Sequence, residues 1–144
     1  MSENIKLENQ LCFPLYALSR QITALYRPHL EKLGLTYPQY LVMMVLWEHD
    51  SVTIKQLGEL LWLDSGTLTP LLKRMEANNL LVRKRSAEDE RLVDITITDK
   101  GEALQKEAEE ISPFIKKGLN MSDVQIDDLR QQIKEILSKI IDEE

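Results

Sequence analysis

Hydrophobic residues recur at three- and four-residue spacings through most of the chain, which predicts a mainly helical protein. The first such segment runs from about Asn9 to Lys32, where Pro28 is expected to kink the helix and Gly34 to end it. The next segment, Tyr40–Trp47, is apolar on nearly all sides and follows Pro38, a first-turn proline. A helix that is apolar all round is expected at the centre of the core.

Two short helices joined by a tight turn are predicted in the middle of the chain. Thr53 and Gln56 have the spacing of a capping box and open a helix through Leu61. Asp64-Ser65-Gly66 supplies a cap and a flexible backbone, and residues 67–78 again show helical periodicity. This arrangement predicts a helix-turn-helix.

Strict alternation appears once, directly after that pair of helices. Leu80–Arg85 predicts a strand, residues 86–91 a polar turn, and Val93–Ile97 a second strand with one buried face. A hairpin in this place is the wing of a winged helix. The predicted fold class is therefore mainly α with a small β-hairpin wing.

Two further helices are predicted after the hairpin. Thr98 is expected to cap a long helix over 99–119 and Ser122 to cap the last one. The last helix carries a narrow apolar stripe: Ile126, Leu129, Ile133, Ile136 and Ile140. Such a stripe packs either within the subunit or against a second copy, and we favour a dimer. The chain is thus predicted as a single subunit, with residues of about 1–35 and 103–144 forming a dimerisation region around a DNA-binding region of about 36–102.

Composition and charge narrow the class of protein. The 144 residues include one cysteine, so no disulfide within the chain and no thiol metal site is expected. No signal peptide or membrane span is recognisable, which predicts a cytoplasmic protein with no membrane partner. The formal charge is −6, yet between positions 73 and 85 only Glu76 opposes five basic residues. These are Lys73, Arg74, Arg83, Lys84 and Arg85. A local basic face suits nucleic acid on an otherwise acidic chain.

Cys12, the single thiol, lies between Leu11 and Phe13 and is followed by Pro14. Because proline is tolerated in a first helical turn, Asn9 or Gln10 as the cap would place Cys12 in that turn. Free backbone N–H groups there favour the thiolate, which is the form that reacts with peroxide. The simpler interpretation is a buried cysteine that only fills space.

Several segments resemble a known family. Leu63–Glu76, Arg83–Ser86 and Asp89–Arg91 resemble the recognition helix and wing of MarR-type transcriptional regulators. Lys6–Phe13 and Leu35–Tyr40 narrow the resemblance to the one-cysteine organic hydroperoxide resistance regulators of that family. The similarity is strong over about 6–101 and weaker over the last two helices.

The resemblance implies a homodimeric repressor that binds double-stranded DNA at a near-palindromic operator until organic hydroperoxide oxidises Cys12. Arg91 is expected in the minor groove, with Asp89 or Glu90 holding the wing turn. The other expected DNA-binding residues lie on the recognition helix and the first strand: Ser65, Thr67, Thr69, Lys73, Arg74, Arg83, Lys84 and Arg85.

The family also implies a pocket around the thiol. Tyr26 and Tyr37 match the tyrosines that hydrogen-bond the reduced cysteine, while Tyr16 and Phe13 match its aromatic and apolar surroundings. Since the chain has no second cysteine, oxidised Cys12 needs a small-molecule thiol as its partner or proceeds to over-oxidation.

Other functions compete with this one. The same fold would serve a regulator released by a small aromatic ligand, with Cys12 merely packed, or a one-cysteine global regulator. A winged helix used only for protein contacts would show no salt-dependent DNA binding. An enzyme is not predicted, because His29 and His49 lack triad or metal-ligand spacing and no Gly-rich phosphate loop is present. No cofactor and no metal are expected.

Overall fold

Residues 1–142 are described by the computed structural model, and they form eight α-helices and three short strands. The helices are α1 (Cys12–Leu33), α2 (Tyr37–His49), α3 (Ile54–Leu61), α4 (Ser65–Ala77), α5 (Asp99–Ala103), α6 (Gln105–Ala108), α7 (Ile111–Leu119) and α8 (Asp123–Asp142). The strands are β1 (Ser51–Thr53), β2 (Leu81–Arg85) and β3 (Val93–Ile97). The chain divides into two compact units, one over Met1–Ile111 and one from Ser112 onward. Residues 143–144, at the end of the predicted dimerisation region, lie outside the described part.

The start of α1 differs from its prediction. The helix begins at Cys12 rather than near Asn9, and residues before it form two 3-10 turns, Glu3–Ile5 and Leu7–Asn9. The side chains of Asn9 and Gln10 donate to backbone carbonyls of this segment instead of capping the helix. Pro28 lies inside α1 without ending it, and Gly34, with φ of 70°, ends it as predicted.

Side-chain caps mark the starts of α2, α3 and α4. Thr53 and Gln56 form the predicted capping box on α3, and Thr36 with Gln39 forms a second one on α2. Asp64 Oδ1 accepts a hydrogen bond from the backbone N–H of Thr67 at the start of α4. The predicted helix-turn-helix, α3–turn–α4, is therefore confirmed.

The two predicted strands are present, and a third joins them. The sheet has the order β1–β3–β2, and both pairings are antiparallel. β1 was not predicted, because three residues between two helices are too few to show an alternating pattern. The β2–β3 hairpin is the wing.

Apolar faces of α2, α3, α4 and the sheet meet in one core. The side chains that are fully buried there include Val42, Met43, Leu46, Leu57, Leu68, Leu72, Met75, Leu81 and Ile95. The nearly uniform apolarity of Tyr40–Trp47 correctly predicts the central position of α2. This core fixes the helix-turn-helix and the base of the wing on one support.

The predicted long helix over 99–119 is wrong, since three shorter helices occupy this stretch. Thr98 caps α5 as expected. Near the end of α5 the Gly101 carbonyl accepts a hydrogen bond from the Leu104 N–H, three residues on, at 3.3 Å. The same carbonyl also accepts one from the Trp47 indole N–H at 2.9 Å, and α5 ends here. Pro113 has no N–H to donate to the carbonyl four residues earlier, which favours the second interruption just before α7.

The unit from Ser112 onward contains the last helix. Ser122 and Gln125 form a reciprocal cap at the start of α8, as the sequence predicts for Ser122. Leu129, Ile133, Ile136 and Ile140 of the predicted stripe are exposed in the single subunit.

Candidate thiol site and nucleic-acid interface

Cys12 is the first residue of α1 and its side chain is exposed. Its place in the first turn is confirmed, although the residue at the cap position is Leu11, which makes no side-chain cap hydrogen bond. The interpretation of Cys12 as a buried space-filler is wrong for the single subunit. The first backbone N–H groups of α1 have no acceptor within the helix and stand close to the thiol.

The apolar residues near Cys12 along the chain are exposed to solvent. Leu11, Phe13 and Tyr16 are 70%, 44% and 60% exposed. Phe13 and Pro14 also line an open groove of about 580 Å³ that the 3-10 turns border through Leu7. The Arg20 guanidinium lies over the Tyr16 ring, 4.5 Å from its centre, which makes a cation–π contact.

Three tyrosines form a cluster at the other end of α1. The ring of Tyr26 lies 5.1 Å from that of Tyr37 and 5.9 Å from that of Tyr40, measured between ring centres, and Tyr40 continues the cluster to Trp47 at 6.1 Å. Burial, and next the neighbouring Tyr37 and Tyr40, raise the pKa of Tyr26 to about 12. Burial also raises the pKa of Tyr37 and Tyr40. All three phenols are therefore neutral hydrogen-bond donors at physiological pH.

The structure brings Tyr26 and Tyr37 together but does not bring them to Cys12 of the same subunit. Cys12 and Tyr26 lie 14 positions apart on the continuous helix α1, a separation of about 21 Å along the helix axis. The predicted pocket also lacked Tyr40, whose position three residues after Tyr37 on α2 was the available signal.

The start of α4 presents short polar side chains. Ser65 and Thr67 are exposed, and Thr69 Oγ1 donates to the Ser65 carbonyl at 2.8 Å. Hydrogen bonds from Thr67, first from its side chain and then from its backbone N–H, lower the pKa of Asp64. Lys73 and Arg74 are exposed further along the same helix. Polar groups and the positive end of the helix dipole suit contact with phosphates and base edges.

Arg83 is held within the subunit by both its backbone N–H and its guanidinium. Its Nε and Nη2 donate to Glu76 Oε1 at 3.2 and 3.1 Å, and its backbone N–H donates to Oε2 at 2.7 Å. The backbone N–H, and next the side chain, lower the pKa of Glu76. Lys84 and Arg85 are exposed, and Arg85 Nη1 donates to the Glu90 carbonyl at 2.9 Å.

Arg91 and Asp89 form an ion pair in the turn of the wing, with Arg91 Nη2 lying 3.0 Å from Asp89 Oδ2. The Arg91 side chain is 88% exposed. Of the two acidic residues expected to hold the turn, Asp89 does so with its side chain, whereas Glu90 contributes its carbonyl to Arg85. An exposed, oriented guanidinium at a wing is suited to a DNA groove.

No group of three or more His, Cys, Asp or Glu side chains within 1–142 could hold a metal ion. None of the helices in that range has the length and apolarity to cross a bilayer.

Comparison with known proteins gives consistent matches. The family model for the transcriptional regulator SarA/Rot matches residues 24–108. The organic hydroperoxide resistance transcriptional regulator of Bacillus subtilis is 54% identical over 129 residues, which are 90% of this chain and 86% of that protein. These matches are to transcriptional regulators rather than enzymes.

Solved structures show the same fold. The structure of reduced AbfR bound to DNA has a TM-score of 0.76 at 35% identity and covers 97% of this chain and 98% of that one. The structure of overoxidized AbfR bound to DNA has a TM-score of 0.72 at 37% identity and covers 94% of this chain and 99% of that one. The structure of a MarR mutant from E. coli complexed with operator DNA has a TM-score of 0.79 at 22% identity and covers 88% of this chain and 93% of that one. At this low identity the match supports the winged-helix fold alone. On the sequence matches, the chain belongs to the SarA/Rot family of transcriptional regulators and, among MarR-type proteins, to the organic hydroperoxide resistance regulators.

Proposed function

We propose that this protein is a redox-sensing transcriptional repressor that releases its operator when organic hydroperoxide oxidises Cys12. One observation carries the proposal: the only cysteine of the chain is exposed at the first turn of α1 in a subunit that also contains a winged helix. The 54% identity to an organic hydroperoxide resistance regulator supports hydroperoxide as the signal. The likeness to AbfR, solved on DNA in reduced and overoxidized forms, supports a DNA-binding regulator that undergoes oxidation.

The chemistry at Cys12 takes two steps. The thiolate attacks one oxygen of the hydroperoxide, the O–O bond breaks, and the sulfenic acid forms while the alkoxide leaves and takes up a proton as the alcohol. A small-molecule thiol then condenses with the sulfenic acid, giving a mixed disulfide and water. This second partner comes from outside the chain because Cys12 is its only cysteine.

A homodimer supplies what one subunit lacks. The N-terminal segment and α8 each expose apolar side chains, including Leu11, Leu15 and Leu18 on one and Ile133 and Ile136 on the other. We assign regions 1–35 and 103–144 to the dimer interface. Full burial of such a side chain is worth about 1.5–3 kcal/mol, and each of these partly exposed residues gains the corresponding fraction.

Tyr26 and Tyr37, if they hydrogen-bond the thiolate as predicted, do so from the second subunit. The helix α1 keeps Tyr26 about 21 Å from Cys12 of its own chain, and Tyr37 packs against Tyr26 with 5.1 Å between ring centres. Oxidation that removes the thiolate as acceptor would then act across the interface. A shift there changes the spacing between the two recognition helices.

DNA contact follows from the same dimer. Two copies of α4 would enter successive major grooves about 34–36 Å apart, with Ser65, Thr67 and Thr69 at the groove and Lys73 and Arg74 beside it. Lys84, Arg85 and Arg91 of each wing would contact the adjoining backbone and minor groove. A repressor must reach its operator, so the protein is expected in the cytoplasm.

The test is an anisotropy titration on DNA from upstream of the protein's own gene. Wild type and Cys12→Ser are compared before and after stoichiometric cumene hydroperoxide with a small thiol present. We expect both to bind and only wild type to dissociate after oxidation. An equal response of both variants would reject Cys12 as the sensor, and loss of response to hydroperoxide in both would point to a small aromatic ligand as the signal.

A further inference from the structure

Glu76 connects the recognition helix to the wing. It lies on the last turn of α4, and its carboxylate accepts three hydrogen bonds from Arg83 at the middle of β2. β2 is an edge strand, so the outward-facing N–H of Arg83 has no strand to pair with, and the Glu76 carboxylate takes its place. A carboxylate bound to both the backbone and the guanidinium fixes position and orientation together.

From Arg83 a series of contacts leads outward to the DNA-facing end of the wing. Two residues further along β2, Arg85 holds the Glu90 carbonyl, and Glu90 is followed by Arg91, which Asp89 orients. Only residues 78–80 connect α4 to β2, and Asn79 in this connection has a left-handed φ of 62°. Glu76 is thus the side-chain brace across a short connection.

We propose that Glu76 is a positioning residue for DNA binding, which sets the wing so that Arg91 reaches DNA while α4 occupies the major groove. This inference rests on the proposed DNA-binding function. It assigns Arg83 to the brace, although the sequence alone placed Arg83 among the DNA contacts. Arg83 is half-buried against Glu76, with its side chain 24% exposed.

The direction in which Glu76→Gln changes the DNA affinity distinguishes a positioning role from an electrostatic one. Glu76 is an acidic group on a face that is meant to meet phosphate, so Glu76→Gln raises the local charge by one. Charge alone would make the variant bind DNA more tightly. Loss of the Glu76–Arg83 contact makes the variant bind more weakly, because the wing must then lose conformational entropy when it binds DNA.

The experiment is a double-mutant cycle by anisotropy on the upstream DNA, with wild type, Glu76→Gln, Arg91→Ala and the double variant. We expect Glu76→Gln to weaken binding about tenfold in the wild-type background and less than about twofold once Arg91 is absent. Arg83→Lys, which keeps the charge but not the two-nitrogen contact, should weaken binding as well, and it replaces Glu76→Gln in the cycle if that variant does not fold.

Three results would overturn the inference: a Glu76→Gln protein that binds as tightly as wild type, an equal loss in both backgrounds, or an Arg91→Ala protein with wild-type affinity. Failure of the proposed function looks different, because wild type itself would then show no salt-dependent binding to this DNA.

Discussion

Asp89 accepts three hydrogen bonds from Arg91, each 3.0 Å long: the backbone N–H and Nε donate to Oδ1, and Nη2 donates to Oδ2. The Arg91 side chain, and next its backbone N–H, lower the pKa of Asp89, so the carboxylate stays ionised. The arginine is held in one orientation while its guanidinium remains open to solvent. Less rotamer entropy is then lost when it enters a DNA groove.

Replacing Asp89 by Asn should weaken operator binding about three- to tenfold, because an amide cannot accept all three hydrogen bonds. The slope of log K against log salt should stay near that of wild type, whereas Arg91→Ala should reduce it by about 1.8, because each of the two wings in the dimer loses one cationic contact worth about 0.9. Anisotropy at several salt concentrations measures both quantities.

Glu88→Gln is the matched control for Asp89→Asn, since it removes the same charge from the same turn. No ion pair involving Glu88 is found in the described part of the chain. Equal affinities of the Asp89 and Glu88 variants would show that the Asp89 clamp has no part in binding.

Much of the fold follows from local signals in the sequence. The Thr53–Gln56 capping box, Gly34 as the end of α1 and the alternation of Val93–Ile97 all lie within a few neighbouring residues, and each is confirmed. The long helix over 99–119 failed at its first interruption because the Gly101 carbonyl there accepts from the Trp47 indole, a contact 54 positions away along the chain. The second interruption had a local signal in Pro113, which the prediction did not use. The Glu76–Arg83 brace was not predicted either, because two charges seven positions apart across a turn show no periodic pattern in the sequence.

The raised pKa of Tyr26 in the tyrosine cluster predicts that the free energy of unfolding falls at alkaline pH. The pKa of Tyr26 is about 12 in the folded chain and about 10 when unfolded, so the stabilisation is complete below pH 10 and is lost as pH rises toward 12. For this half-buried group we expect up to about 1 kcal/mol per pH unit, below the limit of about 1.4 for one proton. Tyr26→Phe should reduce the decline in unfolding free energy, measured with urea, over this window.

Every other residue is identical in the two proteins, so the difference between the two pH profiles reports the effect of the Tyr26 phenol. The profiles should run parallel below about pH 9, since the phenol is neutral in both states there. Parallel profiles through pH 12 would contradict the raised pKa.

Gly58 is required by the close approach of two backbones in the helix-turn-helix. A Cβ at this position would lie 2.6 Å from the Leu63 carbonyl oxygen, while the Leu63 N–H donates to the Gly58 carbonyl at 3.0 Å. Gly58→Ala should therefore lower the unfolding free energy by about 1–3 kcal/mol. At Gly66 the nearest atom to an added Cβ is the Asp64 Oδ2, at 3.4 Å. Gly66→Ala should stay within about 1 kcal/mol of wild type. Urea denaturation compares the two, and equal stability would show that the turn relaxes freely.

The stripe on α8 tests the assignment of the dimer interface. Ile133 and Ile136 are 37% and 47% exposed in the single subunit, and burying that exposed part against a second copy is worth roughly 0.5–1.5 kcal/mol per side chain, a fraction of the value for full burial. Ile133→Glu removes that gain and adds a charge that must be desolvated. The dimer dissociation constant, measured by analytical ultracentrifugation, should rise by more than about tenfold. Gln131→Glu adds the same charge two positions earlier, on the opposite side of the helix, and should leave the dimer intact. If Ile133→Glu dimerises like Gln131→Glu, the stripe packs within the subunit, and the two recognition helices must be joined by another surface.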